Sequence, residues 1–406
     1  MSQQDFMIGQ NLARPGTIAV PEPRSAEHAN EQFGQLTLGV EEEFLLVDAE
    51  TGALSPAAIE VIDTVSEGHS VGRTGVLPGQ LTVQSEVTRF QIETASPVCR
   101  SLSELHEHLQ RMRRTVDTAA GKHGLRLIAT GASPHPLPAD LPWTDTPRFR
   151  RVARHFGALS ESLTTCGCHV HIGIPDTQYA VGVINYLRRW LPLLLAISGN
   201  SPLWQGKDTR YSSWRYLMWD RLPTSGPPPW SASAADYESA LQGMLTSGAA
   251  LDRGTVYWDI RLSSHAPTIE VRIADVAPTA RDAVLLAALI RAMAATALSE
   301  LRTGHQAIKV GRSTLRSHLW HAARHGLVGL MTDPSGGGRL PGEVLADRLV
   351  ERVRPALEDA GDMDVVVELL SELRRRGTGA DRQRKAFRRH ESVADVIELL
   401  LAQTTS

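Results

Sequence analysis

The chain has 406 residues, with 42 Lys and Arg against 45 Asp and Glu, for a formal charge of −3. This balance argues against a general nucleic-acid or anionic-membrane surface, and 42% apolar and 21% charged residues describe an ordinary globular protein. The three cysteines, Cys99, Cys166 and Cys168, are an odd, sparse set that suits a reducing cytoplasm better than a disulfide scaffold.

Residues 1–34, rich in Pro, Gly, Ala and Glu, read as a flexible leader without the apolar core of a signal peptide. Residues 36–47 read as a β-strand that carries three successive carboxylates. Alternation puts Glu41 and Glu43 on one face with Thr37 and Gly39, and Leu38, Val40, Glu42, Phe44 and Leu46 on the other. Two carboxylates on one strand face repel each other and are costly to desolvate. Either the face is a solvated edge, or a hard cation such as Mg²⁺ neutralises it.

Residues 81–94 read as extended and contain Glu86 and Glu93. Their odd spacing sends them to opposite faces of a straight strand, so they can serve one site only across a bulge or turn. Leu102, Leu105, Leu109, Met112 and Val116 mark an amphipathic helix, with Ser101 or Ser103 as N-cap and Gly124 at its end. A short strand follows at 127–130, then a Pro-rich loop, a helix over 148–163 and a strand over 165–174. In that strand Gly167, His169, His171 and Gly173 share a face, while Cys166, Cys168 and Val170 take the apolar one. The Cys-x-Cys pair therefore reads as core rather than zinc site. The paired histidines fit either a structural role or a ligand contact.

A second apolar helix is expected over 179–197, and no stretch looks apolar enough to span a bilayer; the nearest is broken by Arg188, Arg189 and Pro192. Residues 200–230 are irregular, which inside a compact protein marks function. Strands are expected at 255–262 and 268–275, with Tyr257, Asp259 and Arg261 on one face and Thr268, Glu270 and Arg272 on another. A helix capped by Thr279 runs from Ala280 to about Leu301, and an almost wholly helical C-terminal region follows. The basic residues between Arg374 and Arg389 read as a solvated helical face. Mixed elements without βαβ alternation predict an α+β fold: an antiparallel sheet covered by helices over 35–300, with residues 301–406 packing on the same domain.

The segments Leu38-Gly39-Val40-Glu41-Glu42-Glu43-Phe44, His169-Val170-His171-Ile172-Gly173, Asn200-Ser201-Pro202-Leu203-Trp204-Gln205-Gly206, Trp219-Asp220-Arg221, Tyr257-Trp258-Asp259-Ile260-Arg261 and Thr268-Ile269-Glu270-Val271-Arg272 occur in that order. Together they make the chain resemble the bacterial type 2 glutamate–cysteine ligases, carboxylate–amine ligases of the glutamine-synthetase-like superfamily. The resemblance implies a curved antiparallel sheet whose concave face holds Mg·ATP and an amino acid. It implies two or three Mg²⁺ ions on Glu41, Glu43, Glu86, Glu93, His171 and Glu270, with Arg272 and Glu93 as catalytic residues. It further implies substrate or ATP contacts at His169, Asn200, Ser201, Arg210, Tyr211, Arg215 and Arg261. Arg89 and Phe90 depart from the Gln and Ser that relatives tend to carry, which unsettles substrate contacts there. The implied reaction joins L-glutamate, through an acyl phosphate, to L-cysteine or another amine. The implied enzyme is cytoplasmic, without nucleic-acid or membrane partners, and compatible with a homodimer. A metal-dependent amidohydrolase is the alternative.

Overall fold

Strict alternation makes the acidic strand the spine of an eight-stranded sheet. The computed structural model describes residues 35–67, 76–77 and 81–406, so the expected leader over 1–34 lies outside the described residues. The strands are β1 (Leu38–Asp48), β2 (Val76–Leu77), β3 (Leu81–Ser85), β4 (Gln91–Ala95), β5 (Leu125–Ile128), β6 (Gly167–Gly173), β7 (Ile260–Leu262) and β8 (Thr268–Asp275). Their order is β2-β3-β4-β1-β6-β8-β7, with β5 also on β1, and every pairing is antiparallel. β1 is long enough to pair with β4 over Glu41 to Leu45 and with β5 from Leu45 onward, while β6 takes its other edge.

One face of the sheet is apolar. Leu38, Val40, Phe44, Leu46, Val170, Ile172, Ile269 and Val271 are all buried there. Helices α1 (Leu102–Gly121) and α2 (Ala280–Arg302) pack against the sheet. The Ser101 hydroxyl accepts the Glu104 N–H to cap α1, and the Thr279 hydroxyl accepts the Asp282 N–H to cap α2. In length and composition α2 could cross a membrane, which corrects the expectation that no stretch is so apolar. It is instead the core helix, and 72% of its apolar window is buried in the fold.

Glu42 alone of the three glutamates enters this core. It is fully buried and meets an equally buried Arg113 from α1 at 2.5 and 3.0 Å. Arg113 also donates to the carbonyls of Ala277, Pro278 and Thr404, at 2.8, 3.2 and 3.0 Å. One guanidinium thus joins the central strand, the entrance to α2 and the end of the C-terminal helix Val393–Thr404.

Several local expectations are corrected. The segment 179–197 folds as two helices, Thr177–Leu187 and Leu191–Ser198, bent by 68°. Pro192 lacks an N–H, so it sits in the first turn of the second helix rather than inside one long helix. The segment 148–163 divides into the helix Pro147–Phe156 and a 3₁₀ stretch, Gly157–Thr164. The strand expected at 255–262 shrinks to β7, because Asp252 caps a 3₁₀ turn at Arg253–Thr255. The C-terminal region adds a small hairpin, Leu330–Thr332 with Arg339–Pro341. Residues 35–406 cluster as one compact unit.

Removing one partner of a buried ion pair strands the other charge. Glu42→Ala or Arg113→Met is therefore expected to cost about 3–5 kcal/mol. Denaturant unfolding monitored by circular dichroism measures the loss.

Candidate active site

The register of the strands assembles the polar face residue by residue. Glu41 lies opposite His169, Glu43 opposite Glu93, and Glu270 opposite both His171 and Arg261. β3 and β4 form an antiparallel hairpin, with Gln84 opposite Glu93. Glu86 stands where this hairpin turns, so the odd spacing that separated it from Glu93 is absorbed by the turn. The turn brings both carboxyls into the same cleft. Glu86 also accepts the Val87 N–H at 2.8 Å, and Gln84 Nε2 donates to Glu93 at 3.0 Å.

A bulge in β8 shifts its register between Val271 and Ala274. Arg272 occupies the bulge, with its N–H donated to the Asp259 carbonyl at 2.8 Å. Beyond it the parity reverses, so Asp275 pairs with Gly167. Asp275 then accepts from the Asn200 N–H and from the Ser201 and Ser213 hydroxyls at 2.7–2.8 Å.

Glu41, Glu43, Glu86, Glu93, His169, His171, Arg261, Glu270 and Arg272 line one cleft of about 470 Å³. His169 Nδ1 lies 3.2 Å from Glu41 and its Nε2 3.7 Å from Glu43. His171 Nε2 lies 3.3 Å from Glu41, and its Nδ1 is hydrogen-bonded to Thr268 Oγ1 at 2.9 Å. Glu270 takes Arg261 in a two-point grip at 2.8 and 3.2 Å and also pairs with Arg272, whose Nη1 is 3.4 Å from His169 Nδ1. Arg261 is further tied to the Gly254 and Val256 carbonyls.

Burial sets the proton affinities, and neighbours then divide them. Burial pushes Glu43 up, and Arg215 only partly offsets it. Burial and the nearby acids push Glu86 up and Glu93 well up. For Glu41 burial is outweighed by His169 and His171, and for Glu270 by Arg272 and Arg261, so both are held low. Burial and Arg272 bring His169 down to about 4. His171 is raised, because Glu41 and Glu270 overcome its burial.

Three carboxyls that resist ionisation beside two low ones form a site short of positive charge. The buried Nε2 atoms of His169 and His171 have no hydrogen-bond partner. One ligand atom each of Glu41, His169 and Glu270 lie within 4.8 Å of one another. This donor set, oxygen-rich with imidazole, fits divalent cations.

The other expected contacts separate. Asn200 and Ser201 are fully buried in the Asp275 network behind the cleft. They serve the backbone there, because the bulge carries Asp275 onto their side. Arg210 and Tyr211 do not line the cleft. Arg210, at φ +63°, donates its N–H to Asp208, and Tyr211 packs on Trp214 and Trp320. The segment before them closes on itself as a hairpin, Leu203–Trp204 with Lys207–Asp208. Arg215 alone of that group reaches the site's edge. It lies over Gly167, where a Cβ would come within 2.3 Å of its Nη2, and over the ring of Trp219 at 5.6 Å. Asp259 leaves the face of Tyr257 and Arg261, and its burial beside Asp220 raises it to about 8. Arg89 pairs with Glu60, and Phe90 is core, so the departure noted there lies outside the cleft lining. Sequence reasoning missed Arg148, Phe149, Val152 and Leu163, which wall one part of the cleft. They come from the helix and 3₁₀ stretch before β6, where nothing in the residue spacing marks a binding face.

Comparison with known proteins bears on this arrangement. The model of glutamate–cysteine ligase family 2 matches residues 37–399. The chain belongs to this family. A family member from Nocardia farcinica, named "Putative glutamate--cysteine ligase 2-1", is 45% identical over 368 residues, covering 91% of this chain and 93% of its own. A protein of the same name from Saccharopolyspora erythraea is 44% identical over 369 residues, covering 91% and 95%. Among solved structures, the glutamate–cysteine ligase of Francisella tularensis in complex with AMP matches with a TM-score of 0.65 at 14% identity, covering 92% of this chain and 89% of that one. A bifunctional glutathione synthetase from Pasteurella multocida matches at 0.66 and 16%, covering 93% of this chain. The chain spans about half of that longer protein, 53%. These two likenesses show a shared fold, and family 2 membership makes the chain an enzyme of the carboxylate–amine ligase type.

The acids give a pH prediction. Glu43, Glu86 and Glu93 bind protons more tightly folded than unfolded, so in metal-free protein they lower stability as pH rises out of the ordinary carboxylate range. Mg²⁺ is expected to raise the melting temperature at pH 8 more than at pH 5, with the difference reduced in Glu43→Gln. Differential scanning fluorimetry with and without Mg²⁺ measures it.

Proposed function

We propose that this protein is an ATP-dependent ligase that activates the γ-carboxylate of L-glutamate and joins it to the amine of L-cysteine or another acceptor. The observation that carries the reading is the convergence of Glu41, His169 and Glu270 on one cleft floor, ringed by Glu43, Glu86, Glu93, His171 and Arg272. Glu41, Glu43, Glu86, Glu93 and Glu270, with His169 in the Glu41–Glu270 group and His171 beside it, would hold two or three Mg²⁺ ions, which would neutralise the triphosphate and its loose transition state.

A free carboxylate acylates poorly because its leaving group is oxide. Attack of the γ-carboxylate oxygen on the γ-phosphorus of ATP releases ADP and leaves an acyl phosphate. The amine nitrogen then attacks the acyl carbon, phosphate departs, and one N–H proton is lost. Arg272, fixed by Glu270 and close to His169, supplies a positive charge that needs no reorganisation as the phosphoryl group transfers. Glu93, which lines the cleft floor, would accept the amine proton through a carboxylate oxygen not engaged by an ion. The grip of Arg261 keeps Glu270 turned to the floor.

Release of ADP and phosphate that requires ATP, Mg²⁺, glutamate and an amine tests the reading, across a panel of amino-acid and simple-amine acceptors. Glu41→Gln is expected to lower kcat by about 100-fold or more, with the circular dichroism spectrum preserved. Absence of ADP release with every acid–amine pair would sink the ligase reading. Hydrolysis of a γ-glutamyl amide without nucleotide would favour an amidohydrolase.

A further inference from the structure

The cleft's three arginines are not equally committed. Arg261 is held by Glu270 and backbone carbonyls, and Arg272 by Glu270 and the His169 contact. Arg148 is different. It lines the cleft, yet its charge partner is Asp252, which does not. The pair is 2.6 Å apart at a wet rim, with side-chain exposures of 49% and 31%. Such a pair is worth at most about 1 kcal/mol, so an incoming anion releases it at little cost. Arg148 also rests over Gly254, another lining residue, where a Cβ would come within 2.7 Å of its Nη2.

Its surroundings select the anion. Phe149, Val152, Leu163, Trp219 and Tyr257 form an uncharged wall beside it, with Trp219 edge-on to Tyr257 at 4.7 Å between centroids. Tyr257 and Arg148 line the same cleft. Beside this wall the cleft thus offers one releasable cation, Arg148. An amine that also bears a carboxylate and a neutral side chain fits this pattern, its carboxylate toward Arg148 and its side chain on the wall. A second side-chain carboxylate would be desolvated against the wall without a partner, at a cost.

Resting on the ligase reading, we propose that Arg148 and this wall seat the amine acceptor, and that the acceptor is a free α-amino acid with an uncharged side chain. Arg148 binds its α-carboxylate and is a specificity-determining residue.

The test compares kcat/KM for L-cysteine with that for cysteamine, and for L-leucine with isoamylamine, in wild type, Arg148→Gln, Arg148→Lys and Asp252→Asn. A charge-assisted hydrogen bond of this kind corresponds to about a 10- to 100-fold preference for the carboxylate-bearing member. That preference is expected to collapse in Arg148→Gln through the KM of the amino acid, and to return in part in Arg148→Lys. Asp252→Asn, which frees Arg148 without deleting it, is expected to keep the preference, whereas a merely structural ion pair would make it behave like Arg148→Gln. A ratio unchanged in Arg148→Gln, or a loss that falls on the KM of ATP or glutamate, overturns the proposal while leaving the ligase reading intact. If wild type releases no ADP at all, the ligase reading fails. Calorimetric titration of L-leucine into wild type and Arg148→Gln, each with Mg·ATP, then decides the seat. Binding weakened in the variant supports it, and equal or absent binding overturns it.

Discussion

Everything in this molecule turns on the two-residue alternation of β1 between β4 and β6. Five consecutive positions, from Leu38 to Glu42, are in register with β6, and Glu41 to Leu45 are in register with β4. A slip of one residue would exchange the faces. Glu42 would enter the cleft, and Glu41 and Glu43 would enter the apolar face where Arg113 already answers one carboxylate. Arg113, fixed by three carbonyls, cannot follow such a slip. The buried ion pair therefore acts as a register pin as well as a contact, a role attested for buried polar groups elsewhere.

The two faces meet the same problem with opposite solutions. On the apolar face one carboxylate is cancelled completely by the protein itself. On the cleft face the protein supplies Arg272 and Arg261 to Glu270 and two histidines to Glu41, then leaves Glu43, Glu86 and Glu93 crowded and reluctant to ionise. Stability is given up where ligands are to bind, and the apolar layer of α2 beneath the sheet offsets it.

Parity made much of this legible in the sequence. It correctly divided Glu41 and Glu43 from Glu42, His169 and His171 from the cysteines, and Glu270 and Arg272 from Ile269 and Val271. It failed where the chain leaves regular alternation. The β8 bulge pairs Asp275 with Gly167, behind the cleft, and makes Asn200 and Ser201 its partners rather than ligand contacts. The hairpin turn reunites Glu86 with Glu93, which alternation alone separates. The wall around Arg148 is built by tertiary packing of a helix and a 3₁₀ stretch, for which a linear pattern holds no signal.

The bond from Arg113 to the carbonyl of Thr404 has a temporal side. It spans 291 residues of chain, and the Thr404 hydroxyl accepts the Ala129 N–H across 275. During synthesis from the N-terminus, β1 and α1 emerge long before the helix that closes over their buried charges. Until then Arg113 lacks one of its carbonyl acceptors, and the sheet's apolar face is only partly covered. The nascent chain thus carries an unfinished core through most of its translation, the situation in which high contact order delays completion and chaperones find exposed apolar surface.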